Sequence, residues 1–70
     1  MSESVYKIIE LVGTSEKSWE DAVAVCIDKA AKSLKELRVA EVTRMDVKIR
    51  ENQIVKYRVR VKLSFKYMKE

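Results

Sequence analysis

The sequence predicts an α+β fold of order β-α-β-β, a three-stranded antiparallel sheet packed on one helix. Three observations carry this expectation. Val5 to Val12 is mostly apolar with recurring β-branched residues, as a strand requires. From Trp19 to Leu37 the apolar residues fall at three- and four-residue steps. From Val55 to Tyr67 apolar and polar residues alternate strictly.

The first strand is expected to end where Gly13 permits a turn that a Cβ would hinder. Ser18 then has the character of an N-cap, and Glu20 and Asp21 in the first turn favour the positive end of the helix dipole. Trp19, Ala22, Val23, Cys26, Ile27, Ala30, Leu34 and Leu37 form one stripe. Lys29, Lys32 and Lys35 crowd the C-terminal half, as the dipole prefers. Ala24, Val25 and Ala31 widen the apolar side beyond what one sheet needs, which points to a neighbouring copy.

The next strand, about Arg38 to Arg50, changes phase. Ala40 and Val42 are apolar on even numbers, Met45, Val47 and Ile49 on odd ones. Either one extra residue near Thr43–Arg44, a β-bulge, returns both sets to one face, or a simple strand has its ends buried on different sides by an oligomer; the bulge is the expectation. Val39, Glu41, Thr43, Asp46, Lys48 and Arg50 then share the polar face with Arg58 and Lys66. Glu51-Asn52-Gln53 reads as the hairpin turn into the last strand, since Asn tolerates a left-handed backbone. In that strand Val55, Tyr57, Val59, Val61, Leu63, Phe65 and Tyr67 face the core, and its length makes it the centre of the sheet.

Seventy residues allow one domain, residues 1–70, and a lone chain of this size is marginal because it buries only about 60% of its unfolded surface. With one Cys and no His there is no disulfide and no zinc pattern, so association with copies is the remaining way to complete the packing. No apolar run reaches the length of a membrane span, and the opening Met-Ser-Glu-Ser-Val is not a signal peptide. A single Cys fits the cytoplasm, and Cys26 reads as a small core hydrophobe. Lacking His, a Cys–base pair and a glycine-rich phosphate loop, the chain is not expected to be an enzyme. Residues 1–37 carry five Lys against seven acids, whereas residues 38–70 carry ten Lys or Arg against four acids. The net charge of +4 is thus −2 in the first part and +6 in the second.

Val5-Tyr6-Lys7, Glu10-Leu11-Val12-Gly13-Thr14-Ser15, Ser18-Trp19-Glu20-Asp21-Ala22, Ala40-Glu41-Val42 and Val61-Lys62-Leu63-Ser64-Phe65 together resemble the dodecin family, in the same order and spacing over nearly the whole chain. The resemblance implies a hollow homododecamer that binds or stores a small molecule, FMN, FAD or riboflavin being the family ligands. In flavin-binding dodecins a Trp stacks on the ring at a two-fold axis, and that position is Val39 here. The Gln that meets the ring edge corresponds to Arg58, and basic residues that meet phosphate correspond to Asp46 and Lys66. Val39 offers no π-face and Arg58 accepts no hydrogen bond, so flavin binding is expected to be weak or lost. Trp19 matches the family's helix-start aromatic and is expected to pack the helix N-terminus.

Arg38-Val39-Ala40 resembles a branch of the family that lacks the stacking Trp and is described with calcium. For that reading Glu41, Thr43 and Asp46 are the candidate ligands. Cross-strand ion pairs with Arg58, Arg60 or Lys48 compete for the same acids. Lys56, Arg58, Arg60, Lys62 and Lys66 line one strand face and raise the question of nucleic acid. Tyr57, Phe65 and Tyr67 point to the other side, which leaves that face without the stacking rings a single strand needs.

Overall fold

β1 (Tyr6–Ser15), α1 (Trp19–Ala31), β2 (Leu37–Arg50) and β3 (Gln53–Lys66) follow in the expected order. They are seen in a computed structural model that describes residues 4–66. The inward-facing position expected for Tyr67 lies outside the described residues. The sheet order is β1-β3-β2, all antiparallel, so the most regularly alternating strand is the central one. On β3, Val59, Val61 and Leu63 are almost wholly buried, while Arg58, Arg60 and Lys62, which alternate with them, are exposed.

The core is small. Ala22 and Cys26 of α1 meet Val59 and Val61, and Leu11, Trp19, Val23 and Ala40 pack around them. Ser18 caps α1, its hydroxyl accepting from the Asp21 amide at 3.0 Å. The Asp21 carboxylate in turn accepts from the Ser15 hydroxyl at 2.6 Å, which ties the end of β1 to the first helical turn. The Trp19 indole donates to the Asp46 carbonyl at 3.0 Å and its ring meets Tyr57 edge-on at 5.2 Å. This fixes the helix N-terminus to both β2 and β3, as expected of Trp19.

Two expectations are corrected. Gly13 does not form a turn; it lies inside β1, which continues to Ser15. Its value is smallness, because a Cβ there would stand 2.7 Å from the Ala22 carbonyl oxygen and collide with the Cys26 sulfur. The glycine lets α1 lie directly on the strand. The helix also stops at Ala31 rather than Leu37. The Ser33 and Leu34 amides both turn back to the Ala30 carbonyl, and Glu36 adopts a left-handed φ of 61° before β2 begins. Leu34 and Leu37 kept helical spacing only by coincidence.

The expected bulge is present: register passes from Val42↔Val61 to Arg44↔Arg60, leaving Thr43 as the extra residue. The Thr43 hydroxyl donates to the Arg60 carbonyl at 3.2 Å and so pins the irregularity. Two further shifts lie between Leu37 and Val39 and between Lys48 and Ile49. The hairpin turns at Glu51 and Asn52, with φ of 52° and 64°, the paired left-handed geometry that suits twisted strands. Fourteen residues per strand give a ribbon about 46 Å long, whereas the thirteen-residue helix covers about 20 Å of it. The hairpin outruns its cover, and Ile49 and Ile54 near its tip are 62% and 53% exposed.

Candidate functional site

Residues directly opposite in an antiparallel pair share a face, so the register defines the side of the sheet turned away from α1. It carries Tyr6, Ile8, Glu10, Val12 and Thr14 from β1, Lys56 to Lys66 at even numbers from β3, and Val39, Glu41, Arg44, Asp46 and Lys48 from β2. Arg44 belongs here instead of Thr43, which the sequence reading had placed on this face. The bulge exchanges them. Tyr6, opposite Lys66 and half exposed, also puts one aromatic ring on a face expected to have none.

A two-pronged contact on this face joins two of the candidate residues. Arg58 grips Asp46 with both arms of its fork, Nε to Oδ1 at 2.7 Å and a terminal nitrogen to Oδ2 at 2.9 Å. The hydrogen bond from Arg58 holds the Asp46 carboxyl below its ordinary pKa, assisted by the charges of Arg58, Arg44 and Arg60 and opposed by partial desolvation. Asp46 raises the Arg58 guanidinium reciprocally. Beside this pair lies a shallow depression of about 100 Å³ lined by Val12, Arg44, Asp46, Arg58, Val59 and Arg60.

The other candidates lie elsewhere. Val39 is 61% exposed and faces Ser64, whose hydroxyl accepts from the Val39 amide at 3.2 Å. Ser64 lies six positions beyond Arg58 on β3, about 20 Å along the strand. Lys66 belongs to the Val39 end. One chain therefore splits the four family positions into two pairs, Val39 with Lys66 and Asp46 with Arg58. A second depression of about 210 Å³, under Val39, is lined by Ile27, Leu37, Arg38, Val39, Ala40 and Leu63.

The calcium candidates are likewise dispersed. Glu41 stands opposite Lys62, the Thr43 hydroxyl is used by the Arg60 carbonyl, and Asp46 is held by Arg58. Among the described residues no three acidic or sulfur side chains converge on one point. Cys26 is 6% exposed, and burial pushes its thiol pKa up, away from the thiolate a nucleophile needs. Arg44 was absent from the sequence reading of this site; the phase change in β2 was the signal for it, once Thr43 and not Arg44 is taken as the extra residue.

The family model described as Dodecin matches residues 5–68. The calcium dodecin of Mycobacterium tuberculosis is 40% identical over 63 residues, covering 90% of this chain and 89% of that protein. Its solved structure, described as that of a calcium-chelating immunodominant antigen with a novel calcium-binding site, superimposes with a TM-score of 0.82 at 38% identity and 93% coverage of both chains. The dodecin of Thermus thermophilus is 37% identical over 62 residues, covering 89% of this chain and 90% of that one. The dodecin of Streptomyces coelicolor covers both chains fully with a TM-score of 0.94 at 31% identity.

Proposed function

This chain belongs to the dodecin family, and from that premise we propose that it is a single-domain cytoplasmic binding protein, not an enzyme, which assembles as a homododecamer and holds a small ligand or ion between copies. Assembly is supported by what one chain leaves uncovered. Ile8, Val39, Met45, Ile49 and Ile54 are all more than half exposed, a large apolar surface for so short a chain. Among the described residues no helix is long and apolar enough to cross a membrane. The 20 Å between Val39 and Arg58 also means that a pocket using both must be made by two chains.

Flavin is a poor ligand in this reading. The observation that carries it is the Arg58–Asp46 clasp. The side chain at the ring-edge position is already bound to its own neighbour, and Val39 supplies no stacking surface. Purified protein is expected to elute near about 98 kDa, twelve copies of an 8.2-kDa chain, and to leave riboflavin fluorescence almost unquenched. Val39→Trp with Arg58→Gln is expected to raise quenching by restoring the flat surface and the two-way hydrogen-bonding group. A stable monomer would refute the assembly, and strong quenching by the unaltered protein would refute the account of the pocket.

Calcium is the second reading, favoured by the 40% identity to a calcium dodecin. With Asp46 engaged by Arg58, Glu41 is the acid left to contribute, and oxygen ligands from several copies must complete a shell of six to eight. A calcium-dependent rise in Tm that Glu41→Gln removes is expected; no shift with calcium would end this reading.

A further inference from the structure

The rungs of the open face are not equally balanced. Lys62 lies between Glu10 on β1 and Glu41 on β2, a positive charge flanked by two negative ones. Arg58 lies between Thr14 and Asp46 and holds the latter directly. Arg60 lies between Val12 and Arg44. Glu10 comes only to 4.0 Å from it, from the next rung. Like charges set directly opposite destabilise a sheet. Lys48 and Lys56 repeat the pattern at the hairpin tip, beyond β1, but do not border the depression beside Asp46 and Arg58.

The Arg44–Arg60 rung does line one, and the backbone is irregular to put it there. In a regular strand Thr43 would oppose Arg60 and Arg44 would turn toward the helix side. The extra residue, fixed by the Thr43 hydroxyl on the Arg60 carbonyl, brings Arg44 to the open face instead. Three guanidinium groups and one carboxylate then border the same depression. The carboxylate saturates the Nε edge of Arg58, whereas Arg44 makes no hydrogen bond or ion pair among the described residues and meets the Asp46 carboxylate only through longer-range attraction. Val12 and Val59 complete the lining of the depression.

We propose that Arg44, Arg58 and Arg60 form a binding site for a phosphate-like dianion, with Arg44 and Arg60 as its principal donors and Arg58 held in place by Asp46. A planar fork of donors matches the oxygens of a phosphoryl group, and a dianion relieves the repulsion that the bulge creates. The site's lining comes from one chain, and a measurement of particle size separates its failure from that of the dodecameric reading. Free phosphate and the phosphate of a larger molecule present the same chemistry.

The test compares the assembled wild-type protein with Arg44→Gln and Arg60→Gln by thermal unfolding, each in chloride, inorganic phosphate, pyrophosphate, riboflavin and FMN at matched ionic strength. Particle size is measured in parallel. Phosphate and pyrophosphate are expected to raise the wild-type Tm, and each substitution to weaken the apparent affinity about tenfold, the effect of one charge-assisted hydrogen bond. In chloride Arg44→Gln is expected to raise Tm slightly by removing a like charge. A shift with FMN but not riboflavin, lost in the variants, would identify the phosphoryl group of a larger molecule as the ligand. No phosphate shift beyond chloride, or an equal shift in the variants, would overturn the proposal. So would a fall in Tm with loss of the particle on Arg44→Gln, which would assign Arg44 to a contact between copies.

Discussion

Leu63 and Lys62 are neighbours on β3, yet one is 2% exposed beneath the helix while the other looks away from it between Glu10 and Glu41. The helix side is held by shape: three large side chains of β3, a glycine that admits the helix, and small Ala22 and Cys26 facing it. The open side is arranged by charge, with every β3 position from Lys56 to Lys62 basic and the partners set by register. The contrast teaches where each kind of change is tolerated. A methylene matters on one side, whereas on the other a charge matters chiefly through the ions and copies it meets.

The sharpest attempt to break this contrast is Leu63→Ala against Lys62→Ala. The first empties a closed core and is expected to cost about 3 kcal/mol, while the second stays within about 0.5 kcal/mol, both read from denaturant unfolding. Equal losses would mean that the open face is packed as tightly as the core. Gly13→Ala comes next, at about 2 kcal/mol, because its Cβ meets Cys26 and the Ala22 carbonyl. Adding Cys26→Ala is expected to recover part of that loss, which a double-mutant cycle measures. Ser18→Ala should remove about 1 kcal/mol by orphaning the Asp21 amide, seen as a lower Tm.

The smallest effect belongs to the open face. Asp46 is held below its ordinary pKa by Arg58, so its folded-state proton affinity is lower than in the unfolded chain. The contribution of the clasp is therefore complete above the usual carboxylate range and fades as pH falls through the depressed value. The Tm of wild type minus that of Asp46→Asn should be small and positive at neutral pH, shrink in acid and shrink with salt, since both partners are exposed.

Where local pattern and tertiary packing agree, the sequence was a good guide. The alternation of β3 announced its buried and exposed sides, Ser18 announced the cap, and the change of phase between Val42 and Met45 announced the bulge. Helix length was misjudged because Leu34 and Leu37 continue the apolar spacing, although the chain turns at Lys32 and Ser33 and passes through a left-handed Glu36. Gly13 was misjudged because a glycine needed for close approach and one needed for a turn look identical in one dimension. Asp46 and Arg58 were both named, and a cross-strand ion pair was among the readings for Asp46. Only the register joined them and parted them from Val39 and Lys66. Arg44 escaped notice because moving a bulge by one residue reverses which side chain meets the face.

The Cys26 sulfur rests where Gly13 leaves room for it, 6% exposed beside an open depression between β1 and α1. It is consequently a native stopwatch for helix detachment. Excursions that lift α1 from β1 would widen its access to alkylating reagents, so labelling rates set against those of the unfolded chain would record how often a subunit breathes, without any introduced probe.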